Sequence, residues 1–302
     1  MFRTVFAKIM YSAILVFAIF GTDLPPDNPG VHRSVPEKPW LILGTLKAAY
    51  PDKIQSIGFD PGKKDWFLQI DGTRLFWAGG RLLPARELYA AIKWQPHVDY
   101  LYPGQTPDPE SLTQEQIERL KTAILNDNRG EHKVKYHPAF FELLYGGSTR
   151  IAIERHITRV NYLGKRVSVH RAIVAPLKRV EEALDRMAKT DDSVRRFIDS
   201  IASIDGYHWR EIADRPVLSN HSWGIAIDIL PKNHNTKNIY WNWNSTWNED
   251  WMLLPLNRRW MPPAAVISAF EKKVLSGAGN GFTGIICILN TVPSSLLCSN
   301  GD

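Results

Sequence analysis

The sequence predicts an α+β fold, on three observations. Two β-rich runs, Asp65–Ile70 and Thr73–Ala78, flank Asp71–Gly72. Asp-Gly between such runs is a strong short-range signal for a hairpin. Val169–Lys189 carries Ile173, Leu177, Val180, Leu184 and Met187 at helical spacing, with charges elsewhere. Ile225–Leu230 is a short apolar strand-like run holding one acid, Asp228. Helices, then strands, then a final helix follow without strict alternation and without an internal repeat, which favours α+β over a parallel sheet.

In chain order, Arg3 and Lys8 precede an uncharged run from Ile9 to Phe20. Twelve residues suit the apolar centre of an export signal and fall short of the roughly 20 that span a bilayer. A cleaved signal and a retained anchor over residues 1–21 both fit, and a buried N-terminal helix is the alternative. Residues 22–38 are rich in Pro and polar groups and are expected to be a linker. Residues 39–145 form a region of unknown role. Within it, 82–95 and 111–126 look helical, and Ser111-x-x-Gln114 resembles a capping box. Pro103, Pro107 and Pro109 mark the loop between them. From Pro138 the pattern turns mainly helical, with a helix expected from Asp191 to about Ser203.

Composition narrows the classes. The chain has 302 residues, 44% hydrophobic and 23% charged, enough for a sizeable core. A net charge of +6 suits an acidic partner and chooses none. Both cysteines, Cys287 and Cys298, lie near the end, which excludes a disulfide framework or cysteine zinc site elsewhere. No nucleic-acid motif is present and the basic residues are dispersed, so no nucleic-acid partner is expected.

The chemistry-bearing segment is Ser219-x-His221-x-x-Gly224-x-Ala226-x-Asp228. Asp228 interrupts an apolar strand expected from Gly224 to Leu230. A buried carboxylate is costly unless a metal, a charge or several donors compensate it. His221 precedes a glycine that lets the backbone turn, so a loop His and a strand Asp can converge on one ion of the zinc type. From spacing alone, a satisfied turn His and an Asp bonded to loop amides fit as well.

That pattern resembles the signature of the M15 (D-alanyl-D-alanine carboxypeptidase) family of zinc peptidases. Gly206-Tyr207-His208-Trp209-Arg210 is similar to that family's arginine-bearing segment, and Asn257–Lys272 to the helix before its last catalytic strands. The resemblance covers roughly 150–273, within an expected peptidase domain at 146–273. It implies a small antiparallel sheet with helices, of the D,D-peptidase/hedgehog type. It implies Zn2+ held by His221 and Asp228, and Arg210 as the catalytic and substrate-binding arginine, with Ser219 supporting the site. Trp209 and Trp223 would line the cleft or simply pack. The implied activity is hydrolysis of peptidoglycan stem peptides next to D-amino acids by an exported, monomeric protein of the bacterial periplasm or envelope. Only the N-terminal segment would touch a membrane.

The family completes its site with a later His and an acid three residues before it. Here no His follows Lys273, and no acid follows until Asp302. His234 is the nearby later His, at a position where the family places no ligand. Residues 274–301 carry no charge and no Trp, in a chain with eleven Trp. Back-translated one base out of frame, permitted synonymous codons turn this tail into GFIWGGKWFHWDNMHFEYRPEL. That string resembles the missing family end, Asp-x-x-His-Phe-Glu included, and Glu271-Lys272-Lys273 permits the A-run where a base is lost. Residues 274–302 are therefore expected to be a frameshifted tail and the peptidase impaired. The alternative is a non-catalytic peptidoglycan-binding or scaffold protein using residues 25–145 and Trp241, Trp243, Trp247 and Trp251.

Overall fold

A computed structural model describes residues 39–94, 96, 108–128, 136–209, 218–232 and 248–274, without the side chains of 123–128 and 271–274. The chain divides into Met1–Arg33 and Ser34–Asp302, and every described residue lies in the second unit. The expected signal and linker, Arg210, His234, Trp241, Trp243, Trp247 and the tail beyond residue 274 lie outside the described residues. Among the described residues, no helix is long and apolar enough to cross a membrane.

Helices combine with small antiparallel sheets, the α+β class expected. Helix α1 (Pro39–Ala49) packs on a four-stranded sheet of β1 (Ile54–Asp60), β2 (Asp65–Ile70), β3 (Thr73–Phe76) and β4 (Leu83–Pro84). The Asp71–Gly72 hairpin forms as expected, with φ of 46° and 76° at the two turn residues. Positive φ at both suits the strand twist.

The 82–95 segment is helical only over Ala85–Lys93, and as a 3-10 helix. The capping box falls two residues later than expected, at the start of α2 (Gln114–Asn128). Thr113 Oγ1 accepts the Gln116 N–H at 3.2 Å, and Gln116 Oε1 accepts the Thr113 N–H at 2.8 Å. Ser111 instead closes the short 3-10 turn Pro109–Ser111, its hydroxyl donating to the Asp108 carbonyl. Thr113→Ala should cost about 1 kcal/mol. Urea unfolding measures it, and Ser111→Ala should cost less.

Beyond Pro138 the mainly helical expectation needs correcting. Helices α3 (Ala139–Tyr145) and α4 (Arg150–Glu154) lead into a hairpin of β5 (Ile157–Tyr162) and β6 (Lys165–His170). Its turn, Leu163–Gly164, has φ of 47° and 73°. The long helix is thus α5 (Val174–Met187), preceded by a 3-10 turn at Arg171–Ile173, and Val169 and His170 end a strand. The next helix, α6 (Asp192–Ser200), starts where expected, with Asp191 accepting from the N–H groups of Ser193 and Val194. It stops three residues early, because Ile201–Asp205 is strand β7, paired with β8 (Asp228–Pro231). The helix expected at 257–272 is α7 (Ala264–Val274), packed on α5.

One continuous core runs from Leu43 of α1 through Phe140, Ile153, Leu177, Trp223 and Ile229 to Phe270 of α7. It crosses the boundary expected between residues 145 and 146.

His170 sits in this core, 5% exposed. Its Nδ1 accepts the Ala172 N–H at 3.1 Å, so its Nε2 donates to the Tyr145 carbonyl, 3.2 Å away. Burial is the main reason its pKa falls from 6.5 to about 4. The unfolded chain takes up this proton near pH 6.5 and the folded chain only near pH 4. The stabilisation is therefore complete above pH 6.5 and is lost as pH falls to about 4, amounting to about 3 kcal/mol. Urea unfolding of the wild type and His170→Asn at pH 7 and pH 4.5 should show the wild type's advantage shrinking in acid. A gap independent of pH would exclude this origin.

Candidate functional site

The motif loop is built backbone first. The Ser219 hydroxyl accepts the His221 N–H at 3.2 Å, and the Ser219 carbonyl accepts the Ser222 N–H at 2.8 Å. This local turn, favoured because a serine side chain can replace a backbone partner, presents the His221 ring. Gly224 then reverses the chain at φ +69°. Its carbonyl accepts the His170 N–H at 2.7 Å, tying the loop to the end of β6. A Cβ at Gly224 would lie 2.5 Å from Ile157 Cδ1 and 2.9 Å from the His170 N. Glycine is needed here for both conformation and space.

On the other side, β7 runs into Gly206, packed against Ser168 so closely that a Cβ would sit 2.3 Å from the Ser168 carbonyl oxygen. The Tyr207 N–H donates to that oxygen at 2.7 Å, and the His208 N–H donates to the His221 carbonyl at 3.1 Å. The Ser222 hydroxyl reaches the His208 carbonyl at 3.3 Å. The motif loop is therefore held from β6 and from the strand leading towards Arg210.

These contacts bring His221 and Asp228 together, as expected. His221 Nε2 lies 3.3 Å from Asp228 Oδ2. His221 Nδ1 is 2.7 Å from the Gly206 carbonyl oxygen, which can only accept, so Nδ1 carries a proton and donates it. That bond orients the ring and leaves Nε2 towards the carboxylate, the arrangement typical of a metal-bound imidazole. The donor set also fits zinc by distance. Nitrogen and oxygen ligands each about 2.0–2.1 Å from a tetrahedral ion stand about 3.3 Å apart. Without a metal, a protonated His221 would form an ion pair with Asp228 at the same separation.

Two expectations change. Asp228 is not a buried carboxylate: its side chain is 47% exposed, while His221 is 6% exposed. The strand starts at Asp228 rather than Gly224, and alternation along β8 buries Ile229 and Pro231 and turns Asp228 outward. Trp223 does not line a cleft. It stacks on Phe141 at 5.9 Å and lies 6.5 Å from Tyr145, inside the core, and Trp209 packs against the same core.

The spacing argument missed Gly206, which supplies the carbonyl that fixes His221, and Asp205, which faces Asp228 across the β7–β8 pairing. The signal for both was Asp-Gly ending a short β-run just before the arginine-bearing segment. Among the described residues, no three His, Cys, Asp or Glu side chains group as a metal cage.

Residues 213–280 match the family model D-alanyl-D-alanine carboxypeptidase, so this segment is M15 peptidase-like. The matched stretch contains Ser219, His221 and Asp228; it begins beyond Arg210 and runs past Lys273 to residue 280, seven residues into the tail expected to be frameshifted. Residues 42–99, covering most of α1, the four-stranded sheet and the 3-10 helix after it, match a Domain of unknown function (DUF8518). No match was found among curated proteins or among solved structures.

Proposed function

We propose that this protein is an exported zinc peptidase of the bacterial envelope that hydrolyses peptidoglycan stem-peptide amide bonds next to D-amino acids. In the chain as it stands, its third ligand and general base are lost to a frameshifted tail at 274–302. The observation that carries this reading is the 3.3 Å approach of His221 Nε2 and Asp228 Oδ2 within the matched segment, with the His221 ring held by Gly206.

His221 and Asp228 would hold the zinc, which when bound supplies Lewis acidity and a water acidic enough to attack near neutral pH. Ser219 acts through the backbone, fixing the turn that carries His221. Arg210 would bind a substrate carboxylate or the developing oxyanion, since its fork of donors matches both. The break in composition after Lys273 and the motif recoverable one frame away support the loss of the remaining groups.

Equilibrium dialysis against zinc, followed by mass analysis of digested stem peptides, tests the reading. Weak, exchangeable zinc binding is expected, with little hydrolysis. His221→Ala and Asp228→Asn should each weaken zinc binding at least about tenfold. Binding that ignores both substitutions would place the metal elsewhere.

A second reading has its own support. No His follows Lys273 to complete a catalytic site, which favours a non-catalytic peptidoglycan-binding protein. Retention on purified peptidoglycan by a zinc-free chain would select it.

A further inference from the structure

Beside the His221–Asp228 pair lies an open cleft of about 360 Å³. It is lined by Arg159, Arg166 and Ser168 from the β5–β6 hairpin, and by Asp205, Gly206 and Tyr207 from the end of β7. Neither family match includes these residues. We propose that this cleft is a subsite for a free α-amino-acid head, an ammonium and a carboxylate on one carbon.

The hairpin register decides which side chains share the cleft. Arg159 pairs with Ser168, and Asn161 with Arg166. By alternation Arg159, Arg166 and Ser168 stand on one face, opposite the buried Val167 and Tyr162 and the half-buried Val160. Among the described residues, the side chains of Arg159, Arg166 and Asp205 have no hydrogen-bond or ion-pair partner, although the three line one cleft. Nearby charges that stabilise the fold are paired, as Glu154 is with Arg150 and with the Tyr207 hydroxyl. Two free guanidinium groups match a carboxylate by fixed donor geometry. A free carboxylate from the end of β7 in the same cleft selects against a simple anion and in favour of a ligand that also carries an ammonium.

The cleft is also joined to the site. Gly206, part of its wall, accepts the His221 ring proton at 2.7 Å, and Asp205 faces Asp228 across the strands. A head seated here could carry the rest of a peptide only through its side chain, which would then lie next to His221. That last role rests on the proposed peptidase function, whereas recognition of the head does not.

Chemical-shift titration of the ¹⁵N-labelled full chain tests the recognition without zinc or hydrolysis. The probes are D-alanine, N-acetyl-D-alanine and D-alaninamide, each up to about 20 mM, above a Kd on the order of 1 mM. D-alanine should shift the amides around 159–168 and 205–207 and bind more tightly than either blocked form. Arg159→Gln with Arg166→Gln should weaken it roughly tenfold, the loss of two exposed charge pairs. Asp205→Asn should erase the preference for D-alanine over N-acetyl-D-alanine. The three substituted side chains are exposed, and circular dichroism checks that each variant folds. No binding by the wild type, equal binding of D-alaninamide, or an indifferent double variant would each overturn the subsite. None of these results bears on zinc, so the peptidase proposal stands or falls separately.

Discussion

Restoring the other reading frame after Lys273 is expected to raise stem-peptide hydrolysis by about 10²–10⁴-fold, the range a positioned general base contributes. The variant replaces residues 274–302 by the string GFIWGGKWFHWDNMHFEYRPEL. Its Asp-x-x-His supplies an acid and an imidazole to a site where the structure already converges one imidazole and one carboxylate 3.3 Å apart. A catalytic zinc takes three protein ligands and keeps one position for water. Two ligands leave the ion exchangeable, so zinc should also dissociate more slowly from the restored chain. Within the restored string, replacing the acid should cut hydrolysis while zinc stays bound, and replacing the imidazole should lose both. A folded, zinc-loaded restored chain no faster than the present one would end both the frameshift and the peptidase proposals. Genomic DNA across the codons for Lys272 and Lys273 gives an independent check, since its synonymous sites must spell the lost motif.

Gly224→Ala is expected to destabilise the fold by about 3 kcal/mol and to weaken zinc binding with it. The φ of +69° costs an L-residue about 1–2 kcal/mol. The new methyl group meets Ile157 Cδ1 at 2.5 Å and the His170 amide nitrogen at 2.9 Å. Relieving such overpacking costs about 1–3 kcal/mol more. The loop would have to lift away from β6, breaking the His170 N–H bond to the Gly224 carbonyl and moving His221, three residues before. Urea unfolding gives the first quantity and zinc dialysis the second. Gly164→Ala is the contrast: its φ is +73°, but nothing lies within 4 Å of its added Cβ. It should therefore lose only the conformational part. Equal losses at the two glycines would refute the packing argument.

The elements legible in the sequence are those whose signals are local. Asp71–Gly72 specifies its turn by tolerance of positive φ, and the flanking runs are rich in aromatic and aliphatic residues, so that hairpin forms where expected. The second hairpin went unread because a Leu163–Gly164 turn is an unusual one, and because Val169 joins smoothly to the apolar spacing of the helix that follows. The capping box was misplaced by two residues since Ser111 and Thr113 are both good caps. The choice between them depends on the Pro109–Ser111 turn that uses Ser111 first.

The sequence by itself determined the class of the fold and the Asp71–Gly72 turn, while the pairing of His221 with Asp228 was implied by resemblance and left open by spacing alone. The first two follow from residue type and spacing within local segments. Only the tertiary structure decided that Asp228 faces outward, that Trp223 is a core residue, and that Gly206 holds the imidazole. It alone placed Arg159, Arg166 and Asp205 around one cleft. The physical reason is the pairing of β7 with β8 and the packing of β6 against the segment after β7. Such contacts between residues distant along the chain leave little trace in local periodicity.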